Sequence, residues 1–115
     1  MKNYGHDAAE WWCQKIEEQH PNVDIDKLEA FKKVLTSKIN KAVKKYAHIE
    51  LSTFKKSTCV KGYANIFETA NSTGVSALLP EGYEMSITYD IGIIVYDSCG
   101  MLVPLTNNVS LRCVC

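Results

Sequence analysis

Apolar residues recur at three- and four-residue steps over residues 24–46. Leu28, Phe31, Leu35, Ile39, Ala42 and Tyr46 form a stripe that Val34 and Val43 widen. That spacing predicts an amphipathic helix, the longest segment of unbroken helical period in the chain. Pro21 and Asn22 break the backbone before it, and Asp24 or Asp26 is suited to cap its free N–H groups. Asp26 with Glu29 three positions on is an acidic variant of the capping box. Acids at the start and Lys44 and Lys45 at the end match the helix dipole.

A first helix is predicted from Asp7, read as its N-cap, to about His20, where Pro21 stops it. Ala8, Trp12 and Ile16 form its stripe, flanked by Trp11 and Cys13. Two adjacent tryptophans do not both fit the centre of one narrow stripe. One belongs in the core and the other at its margin or on a contact surface, where Trp is over-represented; core packing of both is the favoured reading, since a small domain needs large aromatics for its burial. The short connection to the second helix predicts an antiparallel helical hairpin.

Residues 48–54 (HIELSTF) alternate, with Ile49, Leu51 and Thr53 on one face, and predict a half-exposed strand. Residues 60–70 predict a third, shorter helix through Val60, Tyr63, Ala64, Phe67 and Ala70, closed by 71–74 with Gly74 in the left-handed position. A loop around Pro80 and Gly82 leads to a strand at 84–89, with Met85, Ile87 and Tyr89 inward. Residues 91–96 (IGIIVY) are apolar on both faces and predict an interior strand buried on both sides, or an interface. Further strands are expected at 101–105 and 109–115, joined by a turn at Asn107 and Asn108. Pro104 confines its strand to an edge or a bulge.

The order of elements predicts an α+β fold. An N-terminal helical hairpin and a third short helix pack on one face of an antiparallel meander of about four to five strands. At 115 residues, with 46% apolar and 23% charged side chains, the chain is expected to form a single domain over 1–115. The first twenty residues lack the apolar segment of a signal peptide, and no run approaches the roughly 20 residues of a membrane span. A cytoplasmic protein with no membrane partner is the expectation.

Charge changes the picture. The formal net charge is zero, yet residues 1–31 carry three lysines and seven acids, and 62–115 carry Arg112 and five acids. Between them, residues 32–61 hold nine lysines against Glu50 alone. Lys32, Lys33, Lys38, Lys41, Lys44 and Lys45 lie on the polar side of the long helix, and Lys55, Lys56 and Lys61 follow. A lysine face is most often simple solvation. The sharper reading is a contact surface for phosphates or an acidic protein patch. One Arg among thirteen cations disfavours bidentate readout of bases.

Candidate chemistry is sparse. Five cysteines (Cys13, Cys59, Cys99, Cys113 and Cys115) are an odd set without a secretory signal, so a fully paired disulfide framework is excluded by count. Cys113 and Cys115 are one residue apart and lack the second pair that structural zinc sites carry. The three histidines make no HxH or HxxxH pair, and no phosphate-binding glycine loop is present. A Cys59–His48 dyad requires the two to meet in space. No cofactor or metal is implied.

The expected function is therefore that of a small non-catalytic binding protein, an inhibitor or adaptor. It would dock through Lys32, Lys33, Lys38, Lys41, Lys44, Lys45, Lys55, Lys56 and Trp11 onto a protein with an acidic surface, a nucleoprotein included. Size, polarity of charge and lack of a catalytic signature are similar to those of small phage or mobile-element inhibitors of host defence such as anti-CRISPR proteins. That likeness is one of class, with no shared motif. Non-specific nucleic-acid binding through the same lysines is the alternative, and a small Cys-dependent enzyme is a third reading. The doubly apolar strand and a terminal strand ending in Cys also make a homodimer, by edge pairing or sheet stacking, compatible with the pattern.

Overall fold

The computed structural model describes residues 3–53 and 66–103. Its elements run α1 (Tyr4–Gln19), α2 (Ile25–Tyr46), β1 (His48–Ser52), α3 (Ile66–Thr73), a 3-10 turn (Ser76–Leu78), β2 (Glu84–Thr88), β3 (Gly92–Tyr96) and β4 (Leu102–Val103). The strands form one antiparallel sheet in the order β1-β2-β3-β4. The three helices lie on one face of it, so the fold is α+β as the pattern predicts.

The long helix follows its local signals. Asp24 is its N-cap, accepting from the N–H of Asp26 at 2.9 Å and of Lys27 at 3.4 Å. Leu28, Phe31, Leu35, Ile39 and Val43 are buried along one side, while Ala42 and Tyr46 are partly buried beside them. Each such fully buried aliphatic or aromatic side chain contributes about 1.5–3 kcal/mol. Ala47 ends the helix in the left-handed region (φ 65°), its N–H donating to Val43 O at 2.9 Å.

The first helix starts earlier than Asp7. Asn3 is the N-cap, its Oδ1 accepting from His6 N at 3.0 Å, and Tyr4 and Gly5 are buried in the first turn. The reason is tertiary: Gly5 sits against the backbone of α2. Its N–H donates to Asn40 Oδ1 at 2.8 Å, and a methyl group there would be driven into the Thr36 carbonyl oxygen. At the other end of the hairpin the Cys13 thiol lies 3.8 Å from Leu28 O, so the two helices run antiparallel. Trp11 and Trp12 are both buried, at 2% and 0% exposure, with rings edge to face at 4.8 Å. The buried arc of α1 is broad enough for both because α1 touches α2 on one side and the sheet on the other.

On the sheet, Ile49, Leu51, Met85, Ile87, Ile93 and Val95 face the helices and are buried. Thr53 continues the row as expected and is buried, its hydroxyl accepting from Tyr83 N at 3.0 Å. Two expectations are corrected here. Tyr89 is 51% exposed rather than inward, because β2 stops at Thr88 and Tyr89 and Asp90 form the turn into β3. And β3, although it lies between β2 and β4, is buried on one face only: Ile94 is half-buried and Tyr96 exposed on the side that no described helix covers.

The third helix, expected at 60–70, extends to Thr73. Hydroxyls of Ser72 and Thr73 bond back to Thr69 O, both at 2.9 Å, which lets these polar residues finish the helix before Gly74 turns it off at φ 82°. The expected start of that helix (Val60, Tyr63, Ala64), Pro104, the Asn107–Asn108 turn and the strand at 109–115 lie outside the described residues.

The close approach at Gly5 yields a direct expectation. Gly5→Ala should lower stability by about 1–3 kcal/mol, since overpacking at a tight contact with backbone has no flexible neighbour to yield. A urea unfolding curve compared with the unmodified chain checks it; an unchanged midpoint would mean that the hairpin is looser than described.

Candidate protein-binding surface

The lysines of α2 do not form one face. The helix packs against both α1 and α3, and the lysines at its two flanks meet carboxylates of those neighbours. Lys32 lies 3.8 Å from Glu10 of α1, and Lys38 lies 3.5 Å from Glu68 of α3. Such partly exposed pairs contribute at most about 1 kcal/mol each, but they hold the ammonium groups against their own chain. Lys33, Lys41 and Lys44 are exposed and make no ion pair among the described residues. Lys45 is exposed too, its Nζ 5.4 Å above the Tyr46 ring. Lys55, Lys56 and Lys61 lie outside the described residues.

Trp11 is corrected away from this surface. Its ring packs edge to face on Tyr83 at 5.2 Å, and the Lys15 ammonium sits 5.6 Å from its centroid and 5.9 Å from that of Tyr83. Lys15 with the Tyr83 loop closes over the indole, which therefore serves the core.

The thiol reading weakens on geometry. Cys13 is buried between the two long helices, and that burial pushes its pKa up to about 12, against the opposing pull of Lys32. A thiol held protonated is a poor nucleophile. Cys99 is exposed in a turn where Asp97 Oδ1 accepts from the N–H of Cys99 at 2.9 Å and of Met101 at 3.0 Å. Cys59, Cys113 and Cys115, and with Cys59 the suggested dyad with His48, lie outside the described residues.

His48 has other neighbours. Its Nδ1 is 2.7 Å from Thr88 Oγ1 and its Nε2 is 3.2 Å from Glu50 Oε2. An ionised carboxylate only accepts, so in the neutral imidazole with this pairing Nε2 carries the proton and Nδ1 accepts from the Thr88 hydroxyl. Hydroxyl, imidazole and carboxylate in a row are the parts of an activated nucleophile. Here they stand on the sheet face opposite the helices, with His48 and Thr88 directly paired across β1 and β2, and line neither of the two cavities described. They act as a cross-strand polar pair with one diagonal neighbour.

The larger of those cavities, about 650 Å³, lies between α3 and residues 76–81, with Glu68, Asn71, Ser76 and Glu81 on its walls. No lysine, cysteine or histidine is among its described lining residues. Among the described residues no group of three or more His, Cys, Asp and Glu is placed to hold a metal ion, and no helix is long and apolar enough to cross a membrane.

What the pattern analysis missed is at the C-terminal end of α2. Tyr89 N donates to Ala47 O at 2.8 Å, which brings the β2–β3 turn, with exposed Tyr89 and Ile91, beside the last lysines. A signal was present: strands at 84–89 and 91–96 leave Asp90 alone as their connection, fewer than the two residues a hairpin turn needs. Comparison with protein-family models, curated proteins and solved structures found no match to this chain.

The two described cysteines should separate cleanly in a timed alkylation at mildly alkaline pH. Cys99 should react as an exposed thiol, and Cys13 only on unfolding, since its thiolate forms near pH 12. Peptide mass mapping reads both; rapid labelling of native Cys13 would contradict its placement.

Proposed function

We propose that this chain is a small non-catalytic binding protein, an inhibitor or adaptor, that docks onto an acidic protein surface through Lys33, Lys41, Lys44 and Lys45. The observation that supports the reading is the division of lysines on α2. Those at the flanks are taken up by Glu10 and Glu68, and these four project from the helix without a carboxylate among the described residues. Ammonium groups on long stems adapt to carboxylates of varied spacing, and a concentrated positive strip between acidic neighbours orients an approaching acidic partner and raises its association rate. The same lysines would also follow a phosphate backbone, which is the second reading.

Fluorescence anisotropy separates the two. Labelled polyglutamate and labelled single- and double-stranded oligonucleotides are titrated with the protein at low and physiological salt. Polyglutamate should bind, and Lys41→Glu/Lys44→Glu/Lys45→Glu should weaken it by about tenfold or more, or about 1.4 kcal/mol, with the unfolding midpoint unchanged. Preference for oligonucleotides with a steep loss on adding salt would favour the nucleic-acid reading instead. Undiminished polyglutamate affinity in the triple variant would sink the proposed docking surface.

A further inference from the structure

Resting on that reading, the end of the lysine strip carries more than charge. Ala47 turns the chain directly after Lys44, Lys45 and Tyr46, and its carbonyl accepts the N–H of Tyr89 at 2.8 Å. The β2–β3 turn is thereby fastened beside the helix end. Two further bonds fix its backbone: Asp90 N donates to the Tyr4 hydroxyl at 3.0 Å, and Ile91 N donates to Thr88 O at 3.1 Å. Tyr89 also packs edge to face on Tyr4 at 6.4 Å.

This anchored turn displays its apolar side chains outward. Ile91 is 72% exposed and Tyr89 51%, and neither belongs to the buried core cluster, although one side of the Tyr89 ring meets Tyr4 of that cluster. Tyr46, one residue before the Ala47 that holds Tyr89 N, is half-buried, packs against the core cluster and has the Lys45 ammonium 5.4 Å from its ring centroid. Of the carboxylates nearby, Glu50 is engaged by His48, and Asp90 occupies the turn itself. The lysines without a carboxylate partner among the described residues therefore lie on the helix side of the cluster, and the turn side carries the apolar surface together with the exposed Asp90. Protein contacts are centred on aromatic and aliphatic side chains that lose their water, with charged groups at the rim. A turn held by three hydrogen bonds presents its side chains with little left to order on binding.

We infer that Tyr46, Tyr89 and Ile91 form the apolar anchor site of the docking surface, with Lys41, Lys44 and Lys45 as its basic rim. The partner it fits is an acidic protein segment with an aromatic side chain set among its carboxylates. The carboxylates meet the lysines, and the aromatic ring covers Ile91 and the exposed edge of Tyr89. Among the described residues a second exposed apolar group, Tyr96, Met101 and Leu102, is at the opposite end of β3, and exposed Ile25 is at the far end of α2; neither takes part.

The test uses the whole chain and two synthetic polymers of matched length, polyglutamate and a random glutamate–tyrosine copolymer, in competition anisotropy at physiological salt. The copolymer should bind about tenfold tighter than polyglutamate. Ile91→Ser, in an open turn, should remove that preference while leaving polyglutamate affinity within about twofold; Tyr89→Ala should do the same, with its folding checked by the unfolding midpoint. Leu102→Ser should change neither. Equal affinity of the two polymers for the unmodified chain, or a preference that survives Ile91→Ser, overturns the anchor site and leaves the lysine reading standing. Failure of both polymers to bind overturns both.

Discussion

The backbone contact between α1 and α2 is the constraint on which the rest of the structure depends. With hydrogen as its side chain, Gly5 lets the first turn of α1 settle onto the Thr36 carbonyl, where Asn40 takes its N–H. Asn40 reaches on to the N-cap, its Nδ2 donating to Asn3 Oδ1 at 3.0 Å. One asparagine thus ties down both the cap and the first turn of the neighbouring helix. Because the hairpin closes at that end, Tyr4 is delivered to the sheet, where its hydroxyl holds the β2–β3 turn 86 residues further along the chain. A helix, a helix end and a hairpin turn are locked to one another through a single small residue.

Energetically the molecule is a sandwich with one filling. The stripe of α2, the broad arc of α1 and the inward rows of β1, β2 and β3 form one contiguous cluster, with Ile66, Ala70 and Val75 of the α3 region joined to it. Apolar area removed from water drives this arrangement; of the polar groups that enter, Thr53 is matched by the backbone of Tyr83, whereas the Trp12 indole Nε1 is buried without a hydrogen-bond partner among the described residues. Among the described residues the opposite sheet face has no such cover. Glu50, Ser86 and Ile94 lie across it in register, a row that passes from polar to apolar toward the β3–β4 side.

Legibility in the sequence followed the range of the forces involved. The α2 boundaries depend on Asp24, on the 3.6-residue period and on the break at Pro21, all within a turn of the residues concerned, and these were readable. So was the inward alternation of Ile49, Leu51, Met85 and Ile87. The start of α1 was not, because Tyr4 and Gly5 are helical by virtue of Thr36 and Asn40, more than thirty positions away. Trp11 looked available for contact because its cover, Tyr83, comes from another part of the chain. The lysine strip was overestimated for the same reason. Charge counts are local, but whether Lys32 and Lys38 are spoken for depends on where Glu10 and Glu68 land. The composition of β3 is apolar on both faces, but composition does not say which layer covers a face.

Ala47 occupies a backbone region where an L-residue with a β-carbon costs roughly 1–2 kcal/mol relative to glycine. A residue with a β-carbon has fewer backbone conformations open to it than glycine, so the corner between α2 and β1 is more restricted in its angles. Glycine at that corner would relax the strain and also loosen the elbow that sets the helix against the sheet. Thermodynamic optimum and mechanical accuracy are therefore opposed at one position, and the chain sits on the side of accuracy.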